Sequence, residues 1–338
     1  WWLIKKAWEQ KRLYKGKKIM PWCVNCETAL AKHELEYENI KENSIFLKFQ
    51  LKDEKNKFLI IWTTTPWTIP FNLAVMVNPK IEYAKVKAGK EVWIVAKDLI
   101  EKVAKATGGK LSIIETVNGK SLEGLKYIHP LYDGLRKQFE KISSKNMHSV
   151  ILSEQYVTTE DGSGLVHSAP GCGPEDFEAC QQYGIPPFNN LNEKGIFDDM
   201  GEFSGLQAKK DDYKFVRKLE EKGALIAEQK IEHEYATCWR CHNPIVFRAT
   251  EQWFMKIEDL LKEMLKANNK VNWVPKWGKE AFDAWVNVLK DNSITRQRYW
   301  GTPVPVWECQ SCKKIEVIGS VEELKKKELI ELVKKLFI

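Results

Sequence analysis

Three consecutive threonines, Thr63, Thr64 and Thr65, stand where an apolar run ends and a proline follows, in the segment WTTTPWTIP. Pro66 lacks a backbone donor and favours an extended conformation at the residue before it, so the segment predicts a buried strand that ends in a turn. Hydroxyl groups donate and accept hydrogen bonds, and can hold a polar substrate or a water molecule. An ordinary strand with locally satisfied hydroxyls is the simpler interpretation, because threonine is common in strands.

A second group of candidate side chains lies in GLVHSAPGCGPEDFEACQQYG, residues 164–184. A predicted strand carries His167, and Pro174 marks the predicted start of a helix that ends at Gly184. Asp176 falls in the first turn of that helix, where an acid also complements the helix dipole. Taken separately, His167 and Asp176 are explained as a hydrogen-bonded core histidine and a helix-terminal acid.

The eight cysteines include three pairs with a gap of two residues, Cys23 with Cys26, Cys238 with Cys241, and Cys309 with Cys312. No secretory signal is evident, so repeated pairs at this spacing favour zinc over disulfides, because a tight turn can place two thiolates on one ion. Two pairs complete one tetrahedral site. Three pairs leave one pair unmatched.

The 338 residues are 43% hydrophobic and 29% charged and include 14 tryptophans, a composition typical of a globular protein of about two domains. No apolar run is long enough to span a bilayer and no signal-peptide cleavage pattern is evident, so we predict a soluble, cytoplasmic protein. The missing initiating methionine suggests a piece of a larger protein.

A run of basic residues near the start has two interpretations. The net charge is +7, and a polyanionic partner would explain the crowding of cations, although such runs more often form a solvated helix face. The run consists of Lys5, Lys6, Lys11, Arg12, Lys15, Lys17 and Lys18.

The hydrophobic pattern predicts many short strands and few helices. Residues 45–51 alternate between apolar and polar side chains, residues 53–56 resemble a hairpin turn, and residues 1–16 have the apolar stripe of an amphipathic helix. We therefore expect an α+β fold with a β-barrel-like or strongly curved sheet. The expected segments are residues 1–43 with the N-terminal helix and first zinc knuckle, 44–230 with the sheet, and 231–338 with the second knuckle and further helices.

Four segments, in this order, closely resemble isoleucyl-tRNA synthetases, most of all the archaeal type: WTTTPWTIPFN, GSGLVHSAPGCGPEDFEACQQYGIP, CWRCHNPIVFRATEQWF and SITRQRYWGTPVPVW. The resemblance covers practically the whole chain. Thr65 stands where the related valine and leucine enzymes typically have arginine, and Asn292, directly before the last segment, stands where tryptophan is usual. The two nucleotide-binding signatures of the family are absent from these residues, so the resemblance implies a chain that cannot aminoacylate.

The resemblance implies that residues 44–230 form the editing domain, inserted between zinc-knuckle and helical flanking segments. Such a domain hydrolyses the ester of tRNA(Ile) mischarged with valine, because a pocket distinguishes one methylene by only about 1–3 kcal/mol, for which these synthetases are the well-known example.

The resemblance also implies roles for individual residues. Asp176 would pair with the α-ammonium group, His167 would exclude isoleucine, and Thr64 and Thr65 would hold the substrate and a water molecule. These four form the predicted catalytic set. The predicted substrate-binding set is Trp62, Thr63, Thr68 and Asn72, of which Thr68 and Asn72 would fix the adenosine.

In the same interpretation Zn²⁺ is structural. Cys23, Cys26, Cys238 and Cys241 bracket the insertion and would clamp its two ends on one ion, whereas Cys309 and Cys312 would be half of another site. The expected partners are mischarged tRNA(Ile) and the remainder of the synthetase. The alternative is a non-catalytic, zinc-stabilised module that only binds the acceptor end of the tRNA.

Overall fold

The structure, a computed structural model, describes residues 1–297 and 301–327. Residues 298–300 of the SITRQRYWG motif and the chain from residue 328 lie outside the described part. The chain divides into a smaller unit, Trp1–Lys18 with Glu251–Ile338, and a larger unit, Ile19–Thr250. The predicted boundaries after residues 43 and 230 stay a prediction about functional segments.

Helices and strands alternate irregularly along the chain. The helices are α1 Trp2–Glu9, α2 Ile100–Thr107, α3 Tyr132–Phe139, α4 Pro174–Gln182, α5 Asp212–Glu221, α6 Leu261–Asn268, α7 Trp277–Asn287 and α8 Val321–Lys326. The strands are β1 Leu13–Cys23, β2 Thr28–Ala29, β3 Leu35–Gln50, β4 Lys57–Thr63, β5 Ala74–Val77, β6 Glu82–Ala88, β7 Glu91–Ala96, β8 Ser112–Asn118, β9 Ser149–Leu152, β10 Val166–Ser168, β11 Leu225–Cys238, β12 Val246–Met255, β13 Asn292–Ser293, β14 Val306–Glu308 and β15 Ile315–Val317. None of the helices described has the length and apolar character needed to cross a membrane.

The larger unit is built on a mixed sheet that branches at β4. One edge of β4 pairs with β3 in antiparallel fashion. The other edge pairs with β7 near its start and with β10 at its end, both in parallel fashion. The β7 arm continues to β6 and β8, and the β10 arm continues to β5 and β9. This confirms the mixed α/β class with a curled sheet, whereas closure into a barrel stays a prediction.

Side chains of β4 alternate between two apolar cores, as the sequence pattern predicts for a strand covered on both faces. Leu59 and Ile61 join the large core, and Ile60 joins a smaller core that includes Phe46 and Val103. All three β4 side chains are inaccessible to solvent, and burial of each stabilises the fold by about 1.5–3 kcal/mol. The end of β4 is therefore firmly positioned.

The predicted helix over residues 1–16 is wrong in its second half. Helix α1 ends at Glu9, Lys11 takes a left-handed backbone conformation with φ of 57°, and β1 begins at Leu13. Leu13 and Ile19 are buried as parts of that strand, so the apolar residues that resembled a helical stripe belong to two elements.

Much of the basic run is engaged in ion pairs within the smaller unit. Arg12 lies 2.9 Å from Asp259, Lys15 lies 2.7 Å from Glu251, and Lys5 pairs with Glu323. These contacts favour the interpretation of the run as ordinary charged surface.

Candidate active site

A cavity of about 460 Å³ opens in the larger unit beside the threonine-rich strand end. Two stretches of the chain that are distant in sequence, residues 62–68 and 156–176, form its wall. The lining residues are Trp62, Thr63, Thr64, Thr65, Thr68, Tyr156, Thr158, Glu160, Asp161, Gly162, Ser163, Gly164, Leu165, Val166, His167, Cys172 and Asp176.

The register of β10 brings these stretches together. β10 lies between β4 and β5, with Val166 opposite Trp62 on one side and opposite Met76 on the other. His167, the next residue, therefore projects near the end of β4. After Thr65 the chain enters a buried 3₁₀ helix, Pro66–Phe71, so it turns at the proline as the sequence predicts.

The threonine hydroxyls form a short hydrogen-bonded series. The hydroxyl oxygens of Thr63 and Thr65 are 3.2 Å apart, and those of Thr65 and Thr68 are also 3.2 Å apart. The Thr68 hydroxyl donates to the Thr65 carbonyl at 2.7 Å. In the part of the chain that the structure describes, the half-buried Thr64 hydroxyl has no hydrogen-bond partner. Thr64 is therefore available to a ligand or a water molecule.

His167 presents a fixed, uncharged ring to the cavity. Its Nε2 lies 2.8 Å from the Thr68 hydroxyl, and its Nδ1 lies 2.8 Å from the Asn72 side-chain nitrogen. Burial lowers the pKa of His167 to about 3, so the ring is neutral near pH 7. Both ring nitrogens already have partners in the protein, and the ring suits a steric wall better than a general base.

Asp176 is an acid without a cationic partner. Its Oδ2 accepts a hydrogen bond from the Ala169 backbone nitrogen at 3.2 Å, and no lysine, arginine or histidine of the described residues forms an ion pair with it. Burial raises the pKa of Asp176 to about 7. Gly173 makes room for the carboxylate, because a Cβ at that position would lie 2.7 Å from Oδ2. Such a carboxylate is suited to a ligand that brings a positive charge.

One of the candidate residues does not line the cavity. Asn72 is completely buried and contacts the rear of the His167 ring, so its predicted contact with adenosine stays a prediction. Trp67 is 2% exposed and belongs to the large core, which makes it a packing residue.

The sequence interpretation missed one wall of the cavity, the loop between β9 and β10. Tyr156 lines the cavity and donates a hydrogen bond to Glu178 at 2.7 Å, while Glu160 and Asp161 lie exposed at the rim. Gly162 has a φ of +75°, and a Cβ there would lie 3.1 Å from the Trp62 side chain. The hydroxyl and acidic residues of VTTEDGSG, directly before the His167 strand, were the available signal.

Four cysteines form a separate cluster in the larger unit. The Sγ atoms of Cys23, Cys26, Cys238 and Cys241 all lie within 4.8 Å of one another, and those of Cys23 and Cys241 are 3.4 Å apart. Thiolates on a tetrahedral zinc ion, at about 2.3 Å from the metal, are separated by about 3.8 Å. The donor set and its spacing therefore fit Zn²⁺.

Cys309 and Cys312 lie elsewhere, exposed in the turn between β14 and β15. Among residues 1–297 and 301–327, neither joins a group of three or more candidate metal ligands. Cys172 lines the cavity and Cys180 is buried, each without a second thiol as a partner in the described structure.

Comparison with known proteins defines the class. The family model described as tRNA synthetases class I (I, L, M and V) matches residues 1–336, so the chain belongs to this family.

Within the class, the chain is similar to isoleucine–tRNA ligases of archaea. It is 45% identical over 332 residues to that of Pyrococcus abyssi, which covers 96% of this chain and 31% of the relative. It is 43% identical over 338 residues to that of Methanocaldococcus jannaschii, which covers 97% of this chain and 32% of the relative. The resemblance seen in the sequence motifs is confirmed, and the chain spans about a third of the length of these relatives.

Solved structures offer more distant likenesses. The crystal structure of GlLeuRS-CP1 gives a TM-score of 0.43 at 18% identity, covering 55% of this chain and 99% of that one. The cytosolic leucyl-tRNA synthetase editing domain of P. knowlesi gives a TM-score of 0.38 at 10% identity, covering 56% of this chain and 97% of that one.

Proposed function

We propose that the cavity is the editing site of an isoleucyl-tRNA synthetase and hydrolyses the ester that joins valine to the terminal adenosine of tRNA(Ile). The observation that carries the proposal is what one cavity holds: a fixed neutral histidine, and, among the residues described, an acid without a cationic partner and a threonine hydroxyl without a hydrogen-bond partner. Each feature alone has a structural explanation. Together they match a valyl ester: the acid matches its ammonium group, the threonine its polar ester, and the histidine its side chain.

Asp176 would anchor the substrate through its α-ammonium group. The substrate ammonium would supply the positive charge that none of the described residues provides to this carboxylate as an ion pair. Because burial raises the pKa of Asp176, the substrate charge also favours the ionised form of the acid. The ester carbonyl would then face the threonine-rich wall.

The chemical step needs only a positioned water molecule. Water attacks the ester carbonyl carbon, the bond from that carbon to the ribose oxygen breaks, and the ribose oxygen leaves with a proton. The Thr64 and Thr65 hydroxyls, whose residues line the cavity, would orient the water and the carbonyl oxygen. Fixed donors of this kind lower the barrier by proximity and by stabilising developing charge. The Thr68 hydroxyl contacts the His167 ring, but it donates its proton to the Thr65 carbonyl and is not set up to be deprotonated by the ring, which favours water as the nucleophile.

The direct test is release of valine from Val-tRNA(Ile) by this chain, compared with buffer alone. The competing idea, a module that binds the acceptor end without catalysis, requires tRNA binding with ester loss at the rate of the buffer. A valyl ester of adenosine is a useful second substrate, because its hydrolysis does not depend on tRNA contacts elsewhere in a longer synthetase.

We expect Thr64→Val to slow hydrolysis of the valyl ester by about 10- to 100-fold with little change in stability. Valine keeps the shape of threonine but removes the hydroxyl that has no protein partner in the described structure. Ester hydrolysis and thermal unfolding are measured side by side. Thr116→Val is the matched control, since Thr116 is exposed on β8 and does not line the cavity. Equal rates of ester hydrolysis for Thr64→Val and Thr116→Val would show that the Thr64 hydroxyl has no part in the mechanism.

We also propose that Cys23, Cys26, Cys238 and Cys241 bind one structural Zn²⁺. The ion would fasten the end of β1 to the end of β11, whose register with β3 runs from Leu225 opposite Leu47 to Cys238 opposite Leu35. Thiolate ligation by residues this far apart in sequence makes metal binding part of the folding free energy.

One zinc ion per chain is the expected metal content. Cys238→Ser should abolish stoichiometric zinc and lower the free energy of unfolding by about 3 kcal/mol or more, whereas Cys309→Ser should leave both unchanged. Elemental analysis and thermal unfolding check this. A metal-free wild-type chain that unfolds at the same temperature with and without added zinc would refute the clamp.

A further inference from the structure

A tyrosine that does not touch the cavity is connected to it through Asn72. Tyr127 is 3% exposed, and its hydroxyl donates a hydrogen bond to the Asn72 Oδ1 at 2.6 Å. Asn72 in turn contacts the Nδ1 of His167 at 2.8 Å. The hydroxyl of Tyr127 is thus one residue removed from the ring that forms the cavity wall.

Backbone groups settle which way the Asn72 amide points. Its Nδ2 lies 2.8 Å from the Ala74 carbonyl and 3.3 Å from the Ser168 carbonyl, and both of these atoms can only accept hydrogen bonds. The amide nitrogen must therefore be on this side and the amide oxygen on the side of Tyr127. Burial raises the pKa of Tyr127, so its hydroxyl stays protonated and donates.

This orientation dictates the tautomer of His167. An amide nitrogen donates, so the His167 Nδ1 must accept, and in a neutral imidazole the proton then resides on Nε2. The Thr68 hydroxyl already donates its proton to the Thr65 carbonyl, which leaves its oxygen free to accept from Nε2. From the Tyr127 hydroxyl through Asn72, His167 and Thr68 to the Thr65 carbonyl, each group therefore donates a hydrogen bond to the next.

We propose that Tyr127 is a positioning residue of the cavity: through Asn72 it fixes the ring plane of His167, and thereby the size limit of the substrate side chain. The role assigned to the size limit rests on the proposed editing function, whereas the tautomer assignment does not. Tyr127 makes no contact with substrate in this proposal.

The surroundings of both residues are rigid enough for this role. The Tyr127 ring packs at 5.3 Å from the ring of Phe49 in the large core, and its backbone nitrogen donates to the His148 carbonyl. The backbone nitrogen of Asn72 donates to the Ile69 carbonyl at 2.9 Å. Asn72 is therefore held at both its backbone and its side chain, and loss of the Tyr127 hydroxyl would leave its buried amide oxygen without that donor.

The variant Tyr127→Phe removes this one hydroxyl. Without it the buried Asn72 Oδ1 lacks a donor, although the Ala74 and Ser168 carbonyls still hold the amide nitrogen on the side of His167. The amide plane is then less firmly held, the His167 ring can tilt with it, and we expect the ratio of valyl to isoleucyl ester hydrolysis to fall about tenfold. Tyr183→Phe is the control: its hydroxyl is also engaged, with Glu123 and the Leu152 backbone nitrogen, but has no contact with Asn72 or His167. In the background of Asn72→Ala, Tyr127→Phe should have no further effect on the ratio.

The ¹⁵N resonances of the His167 ring give a readout that does not depend on activity. The wild-type chain should show a protonated Nε2 and an unprotonated Nδ1. Tyr127→Phe should keep this tautomer but show shifted or broadened ring resonances, because the ring is held less firmly. A wild-type ring protonated at Nδ1, or a folded Tyr127→Phe variant with unchanged ring resonances and an unchanged ester ratio, would overturn the proposal. If the wild-type chain hydrolyses neither ester, the editing function fails and the ring resonances alone decide the inference about Tyr127.

Discussion

Asp176→Asn is expected to reduce valyl ester hydrolysis by at least about a hundredfold while making the chain more stable at pH 8. The amide cannot pair as a charge with the substrate ammonium, and loss of a buried charge partner of this kind costs about 2–5 kcal/mol in binding. Hydrolysis of valyl adenosine and of Val-tRNA(Ile) measures the first effect.

The stability gain follows from the sign of the pKa shift. The pKa of Asp176 is raised from 3.8 to about 7, so the folded chain holds this proton more tightly than the unfolded chain does. The favourable contribution of the protonated acid is complete below about pH 4 and is lost as the pH rises towards 7. Asp176→Asn should therefore match wild type near pH 4 and be more stable by roughly 1–3 kcal/mol above pH 7, after allowance for the lost helix-dipole contact.

Glu175→Gln provides the matched control for Asp176→Asn. Glu175 is exposed in the same first turn of α4, so its change removes an equal charge without touching the cavity wall. We expect wild-type hydrolysis and no stability gain for this variant. Equal hydrolysis by Asp176→Asn and Glu175→Gln would contradict the assigned role of Asp176.

His167→Ala is expected to let the chain hydrolyse an isoleucyl ester at least about tenfold faster than wild type does. The imidazole is far larger than the single methylene that separates isoleucine from valine, and its two hydrogen bonds prevent it from moving aside. One methylene corresponds to about 10- to 200-fold in discrimination, so removal of the wall should erase most of that factor.

His129→Ala is a control for the structural cost of this change. His129 is also a buried histidine, bonded to the Ile69 carbonyl and the Leu131 backbone nitrogen, but it does not line the cavity. Both variants should lose about 1–3 kcal/mol of stability, because each leaves buried groups without a partner. If His129→Ala also gained activity towards isoleucyl ester, loosening of the domain would explain the result better than removal of a wall.

The sequence predicted well those parts of the fold in which one physical signal dominates. The alternation of residues 45–51 predicted a strand, and β3 with its hairpin to β4 confirms it. Pro174 and the acids after it predicted a helix start, and α4 begins at that residue.

Pairing between strands that are distant in sequence could not be predicted from local sequence patterns. Strand β11 is 14 residues long, yet its middle, EQKIEHE, is polar on both faces because the ribbon it forms with β3 is largely exposed there. No apolar period marks such a strand, and its existence depends on a partner nearly two hundred residues away in sequence.

The residues of the candidate site also differ in how far the sequence could predict them. Resemblance to a family pointed to Thr64, His167 and Asp176, and the structure places all three around one cavity. The position of Asn72 behind His167 could not be predicted, because it depends on how β5 and β10 pair. Its hydrogen bond with Tyr127 could not be predicted either, because Tyr127 lies in the core and outside every motif.

Hydrolysis of valyl adenosine and Val-tRNA(Ile) by wild type and Asp176→Asn, at pH 8 and with Glu175→Gln alongside, tests the central claim most directly. The editing assignment predicts ester loss well above buffer for wild type and Glu175→Gln, and a rate close to buffer for Asp176→Asn. Equal rates for all three chains and buffer on both substrates, with tRNA still bound, would contradict it and identify the chain as a binding module.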